Sequence, residues 1–176
     1  MLKLNLKKGL LLCFPSRFLS SNVYLMVVNN VAVAVDCGMP WIANHVLDYL
    51  SRNRLKLEYI LLTHSHFDHV MGINRLKRHV ETRVVAHTRS KRGDVKVKNG
   101  DIINAINNQL SFLVIYTGIH RDDHVWYYEK NNQILFVGDY MPTPRDLKTL
   151  REQHTAKPKI SLPGHGKPTF FQFLSP

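Results

Sequence analysis

The sequence predicts a sheet-rich layered sandwich of α/β or α+β class. Short runs of β-branched and aromatic residues recur along most of the chain, and only two or three segments with helical spacing are interleaved among them. No apolar run approaches the length needed to span a bilayer, so no membrane association is expected. With 176 residues, 44% hydrophobic and 21% charged, the composition is that of a globular protein, expected to form one domain over residues 1–176.

The elements follow in order. LKLNLK (2–7) alternates as a strand does, and the apolar patch GLLLCF after it is too short, and lacks a small-residue cleavage site, to be a signal peptide. NVYLMVV (22–28) and VAVAVDCG (31–38) are strands joined by a turn at Asn29 and Asn30. PWIANHVLDYLSRNR (40–54) places Ile42, Val46, Leu47 and Leu50 on one helical face, with Pro40 at or just before its first turn. EYILLT (58–63) reads as a buried strand, GINRLKRH (72–79) as a helix and TRVVAH (82–87) as a strand. The basic stretch 88–101 is a loop or short strand. QLSFLVIYTG (109–118), HVWYYEKNN (124–132) and QILFVGD (133–139) are three strands, the last two turning at Asn131 and Asn132. RDLKTLREQH (145–154) is helical, KISLPGHGKP (159–168) is a strand running into a loop, and TFFQFLSP is a tail.

Two cysteines, Cys13 and Cys37, make a disulfide framework implausible and have no metal-binding spacing; they read as small buried hydrophobes of a cytoplasmic protein. The formal charge is +11. Much of the excess sits in residues 75–98, where nine Lys and Arg are opposed only by Glu81 and Asp94. Such a stretch would concentrate anionic partners, a phosphorylated or carboxylated small molecule or a nucleic acid, or would simply be a solvated face. It has no interleaved stacking aromatics, which weakens the nucleic-acid reading.

The chemistry concentrates in THSHFDHVMG (63–72), directly after a strand. Composition predicts about 0.002 chance occurrences of His-x-His-x-Asp-His in a chain of this length. At extended spacing His64 and His66 point the same way and can meet one ion, while Asp68 and His69 follow the turn and can address a second. TGIHRDDH (117–124), FVGDY (136–140) and LPGHGKP (162–168) each place His or Asp just after an apolar strand. Ligands gathered at strand ends along one sheet edge make a preformed site on rigid elements.

The order HxHxDH … H … D … H resembles the metallo-β-lactamase superfamily of metal-dependent hydrolases. VAVAVDCG is similar to that family's early Asp-x-Gly strand, residues 97–120 to the approach to its third metal-binding histidine, and ISLPGHG to its closing motif. The resemblance implies a four-layer αββα sandwich with the site in a groove at its edge. It further implies two divalent metal ions, most often zinc, with iron or manganese as alternatives. His64, His66 and His120 would hold the first ion, Asp68, His69 and His165 the second, and Asp139 would bridge them. Metal-bound hydroxide would then attack an electrophilic carbonyl or phosphorus centre, with Asp68 orienting the nucleophile and accepting its proton. Asp36 reads either as support for a ligand histidine or as a strand-end turn. The chain departs from the family's usual Thr-Pro-Gly-His by having Thr117-Gly118-Ile119-His120. His124 and Lys167 are candidate substrate contacts, the alternative for His124 being to satisfy a buried polar partner.

The leading expectation is a hydrolase of an ester, thioester, lactone or amide, acting on a small and anionic molecule. A phosphodiesterase or nuclease of the same fold is the first alternative, and a non-catalytic metal-binding module the second. The short span between His69 and His120 predicts an open groove. It leaves no room for a large inserted nuclease domain, and no separate arm for gripping tRNA is visible.

Overall fold

A computed structural model describes residues 2–15 and 19–171. Most of the sequence's tail segment, residues 172–176, lies outside the described residues. Two sheets face each other. The first runs in chain order through β1 (Leu2–Asn5), β2 (Leu10–Phe14), β3 (Val23–Val28), β4 (Val31–Val35), β5 (Lys56–Leu61), β6 (Arg83–His87) and β7 (Val95–Val97). The second comprises β8 (Ile102–Ala105), β9 (Leu110–Tyr116), β10 (Val125–Glu129), β11 (Ile134–Gly138), β12 (Ile160–Pro163) and β13 (Thr169–Phe170), again adjacent in sequence order.

The strand pattern explains the layering. In β3, Tyr24, Met26 and Val28 point into the space between the sheets, where they meet Phe112, Tyr127 and Phe136. Val23, Leu25 and Val27 point outward, into an apolar layer shared with Val46, Leu50 and Leu76. A strand covered on both faces reads as an unbroken apolar run, which is what VYLMVV is. Helices α1 (Pro40–Arg52) and α3 (Ile73–Lys77) supply that outer cover, and α4 (Pro144–His154) covers Trp126 and Leu135 on the other sheet through Leu150. The result is the four-layer αββα arrangement anticipated from the resemblance.

Helix α1 starts with Pro40 in its first turn and buries Ile42, Ala43, Val46 and Leu50, so its inward face matches the sequence spacing; Leu47 is only partly buried. Helix α4 begins one residue before the anticipated segment, at Pro144. It is closed by a capping box in which Thr143 and Asp146 satisfy each other's backbone amides. Four elements are additions to the sequence reading: strand β2 in the apolar patch, the single-turn helix α2 (Phe67–Val70), the separate strand β8, and the two-residue strand β13.

Parallel pairings of β4 with β5, β5 with β6 and β11 with β12 bring their carboxyl ends to one edge. The turns at residues 7–9, 29–30, 106–109 and 130–133 close the opposite edge. There Asn29, Asn107 and Asn108 take left-handed φ of 54°, 52° and 63°. None of the helices among the described residues is long and apolar enough to cross a membrane. Both cysteines are buried and free.

Candidate metal centre

The site is built at the carboxyl edge, starting from Asp36 at the end of β4. Its φ of 57° is left-handed, so it is a strand-end turn, and its carboxylate also supports a histidine. Oδ1 accepts the Thr63 backbone N–H at 2.8 Å, and Oδ2 accepts the Thr63 hydroxyl at 2.8 Å. Oδ2 also lies 2.8 Å from His69 Nδ1. A carboxylate can only accept, so His69 donates from Nδ1 and presents the lone pair of Nε2. Thr63 Oγ1, its proton committed to Asp36, accepts from His64 Nδ1 at 3.1 Å, and His64 likewise presents Nε2. One carboxylate therefore sets the tautomer of two rings, the second through a hydroxyl.

Two groups of ligand-type atoms converge, each within 4.8 Å: His64, His66, His120 and Asp139, and Asp68, His69 and His165. In the first, His66 Nδ1 lies 3.1 Å from His64 Nε2 and 3.0 Å from His120 Nε2. In the second, Asp68 Oδ2 lies 2.9 Å from His165 Nε2 and 3.6 Å from His69 Nε2. Asp139, immediately after β11, faces both. Its Oδ2 is 3.5 Å from His120 Nε2 and 3.6 Å from His165 Nε2, and its Oδ1 is 3.1 Å from His69 Nε2.

These atoms fit cations better than they fit one another. His69 Nε2 and Asp139 Oδ1 are both buried, and neither has a hydrogen-bond partner despite their 3.1 Å separation. Two lone-pair donors pressed together out of water are costly unless a positive charge lies beside them. Burial alone would lower the pKa of His69, but the carboxylates of Asp36 and Asp139 outweigh it and push it up to about 10. The same negative field would hold a cation in place of that proton. Burial, reinforced by the surrounding rings, drives His64 far below the usual histidine range, which keeps it a neutral ligand. Burial acts to raise the pKa of Asp139, but the neighbouring His69 prevails and its carboxyl group is held below its usual range. The donors are imidazole and carboxylate only, a set that suits zinc or iron rather than a soft thiolate site; Cys37 Sγ is turned away and donates to His69 O at 3.0 Å. The groove is open, with the side chains of His120 and His165 32% and 47% exposed.

The departure at Thr117-Gly118-Ile119-His120 relocates the turn. Gly118 takes φ +59° and His120 itself takes φ +68°, so Ile119 has no need of a left-handed backbone. The amides of Thr117 and Gly118 donate to His124 O at 3.1 and 3.2 Å, closing the loop. His124 is fully buried, with Nδ1 2.7 Å from Thr117 Oγ1, and its ring lies 5.2 Å from that of His64. Burial, helped by His120, lowers its pKa to about 4. Lys167 is exposed on the loop after β12, two residues beyond His165. Close packing reaches the backbone too: a Cβ on Gly164 would sit 2.3 Å from Asp139 Oδ1 and 2.6 Å from His69 Cε1.

Sequence reasoning did not single out Ser21, Asn22 and Tyr24, whose hydrogen bonds reach helix α2, which carries Asp68, and the loop carrying His165. Their partners lie 47 to 144 residues away in the chain. The one available signal was a polar Ser-Ser-Asn run before a strand, which ordinarily reads as a solvated loop.

Comparison with known proteins points one way. Residues 16–92 match the model of the metallo-β-lactamase superfamily. A hydroxyacylglutathione hydrolase of Francisella tularensis subsp. novicida is 33% identical over 129 residues, covering 72% of this chain and 49% of the relative. The chain thus spans about half the length of the curated relatives it matches. Among solved structures, ETHE1 from Myxococcus xanthus superposes with a TM-score of 0.75 at 21% identity, over 91% of this chain and 79% of that one. The B3 metallo-β-lactamase BLEG-1 gives 0.76 at 22% identity, over 91% and 93%. With its fold matched by both structures and its sequence by the family model, the chain belongs to the metallo-β-lactamase superfamily.

Proposed function

We propose that this protein is a hydrolase that holds two divalent cations and cleaves the thioester, or a related ester, lactone or amide, of a small anionic molecule. Zinc is the leading candidate for both positions, with iron or manganese as alternatives. The observation that carries the reading is Asp139, whose carboxylate lies against both ligand groups, with Oδ2 between His120 and His165 and Oδ1 beside His69. His64, His66 and His120 would hold one ion and Asp68, His69 and His165 the other. When bound, the ions supply Lewis acidity, lowering the pKa of a water toward neutrality and polarising the substrate carbonyl.

The side chains do the rest. Asp36 fixes the tautomers of His69 and, through Thr63, His64, so two ligands arrive with lone pairs already directed. Asp68, mostly buried beside His165, is placed to orient the attacking water and take its proton. A thioester is favoured because the curated relative is named a hydroxyacylglutathione hydrolase, and an acyl glutathione is by its chemistry a thioester with carboxylates to spare. His124, packed behind His64, acts on ligand placement; Lys167 is left as a solvent-side contact for an anionic group.

The basic stretch does not favour a nuclease. Arg83 begins β6, stacked 4.9 Å over Tyr59, whereas Arg89 lies beyond the other end of the same strand, 5.4 Å from Tyr116. Lys77 is paired with Asp94 at 2.8 Å. Arg83 and Arg89 thus flank opposite ends of one strand, and the charge of Lys77 is already matched. The test is metal analysis of the purified chain followed by a screen of acyl thioesters, esters, lactones and a phosphodiester. Two equivalents with turnover of an acyl compound support the proposal. Turnover of the phosphodiester alone, falling steeply with salt, overturns the substrate class.

A further inference from the structure

We infer that Asn22 is a positioning residue for His165, and that the segment Ser21–Tyr24 sets the second cation position; this rests on the dinuclear reading above. Ser20, Ser21 and Asn22 precede β3 and are almost wholly buried, at 1%, 0% and 2% exposure. Buried polar groups must find partners: Ser20 pairs with Ser21 O and the Met39 amide, while Ser21 and Asn22 find theirs on the backbone that carries the second ligand group. Asn22 Nδ2 donates to Pro163 O at 2.9 Å and to Gly166 O at 3.1 Å, carbonyls on either side of His165. The Asn22 amide donates to Gly164 O at 2.6 Å, and the Tyr24 hydroxyl to Pro163 O at 2.7 Å. Ser21 gives both its amide and its hydroxyl to Asp68 O, at 3.2 and 3.0 Å.

The loop needs this clamp. It connects β12 to a strand of only two residues, so sheet pairing restrains it on one side and hardly on the other. The His165 ring is half exposed and gains little from packing. Asn22 grips the backbone immediately before and after His165, while Ser21 holds Asp68, the ligand 2.9 Å from it. Among the described residues none of these bonds reaches His64, His66 or His120. Loss of Asn22 should therefore loosen one cation position and spare the other.

The test titrates zinc into metal-free wild type, Asn22→Ala and Glu129→Gln, with amide exchange followed in the metal-free proteins. Glu129, fully buried, holds the 130–133 turn at the opposite edge, so its variant reports destabilisation without change at the site. In Asn22→Ala the second equivalent should weaken by roughly 10–100-fold with the first unchanged. Exchange of the Gly164 amide should also quicken, with neither effect in Glu129→Gln. Tyr24→Phe, which removes one hydroxyl, should shift the second equivalent in the same direction by less, and serves if Asn22→Ala does not fold. A wild type taking two equivalents, with the second retained at full affinity in these variants, overturns the clamp alone. Parallel weakening of both equivalents also overturns it, since that is general loosening. A wild type that takes one equivalent overturns the dinuclear reading and the clamp with it.

Discussion

His64, His66 and His120 on one side, and Asp68, His69 and His165 on the other, press against the same carboxylate but are secured by different kinds of structure. The first group has its supports close by in the chain. His64 and His66 leave the end of β5 two residues apart, and their nearest support is the adjacent Thr63. Its third member, His120, comes from a loop closed on itself at His124 O. The second group is tied from a distance. Asp36 holds the His69 ring, the amide and thiol of Cys37 hold the His69 carbonyl at 3.0 Å, and β3 and the residues before it hold Asp68 and His165. Both groups meet only after the sheets have closed, since His120 and His165 come from the second sheet; they differ in how near in the chain their supports lie.

That contrast can be broken by removing what the groups share. Asp139→Ala should weaken both cation positions and reduce turnover by more than the roughly 100-fold typical of losing a supporting partner; full activity would remove the bridging role. A smaller loss is expected from His120→Ala, in which metal titration should show the first position weakened and the second kept. Equal loss at both would mean the groups are not separable. Gly164→Ala alters no ligand, yet its methyl would press on Asp139 and His69, so metal affinity should fall by about 10–100-fold. Wild-type loading of that variant, measured by the same titration, would show that the loop yields easily. The smallest effect belongs to Lys91→Glu on the exposed β6–β7 connection. Turnover of a small neutral ester should not change, and stability should move by no more than about 0.5 kcal/mol in denaturant unfolding. A clear loss of ester turnover would bring the basic stretch into the site.

Legibility in the sequence follows the same division. The His-x-His-x-Asp-His cluster could be read because its members are neighbours, and the strands could be read because runs such as VYLMVV are buried on both faces. Helix α2 escaped because one turn, Phe67–Val70, shows no periodicity. Strand β8 escaped because its Asn104 and the Asn107–Asn108 pair beside it look like turn material. Asp36 could be read as a turn or as a support, and its left-handed backbone and its bond to His69 make it both. The contributions of Ser21, Asn22 and Tyr24 had no local signature, since they depend on backbone carbonyls as many as 144 residues away.

The edge closed by turns at 7–9, 29–30, 106–109 and 130–133 carries none of the seven ligand side chains. The ligand side chains and these four short hairpin turns therefore lie at opposite ends of the sandwich. A reporter domain or affinity loop spliced into the exposed Asn29–Asn30 tip would travel with the protein without disturbing the donor atoms, which makes that tip a practical anchor for tethering or imaging it.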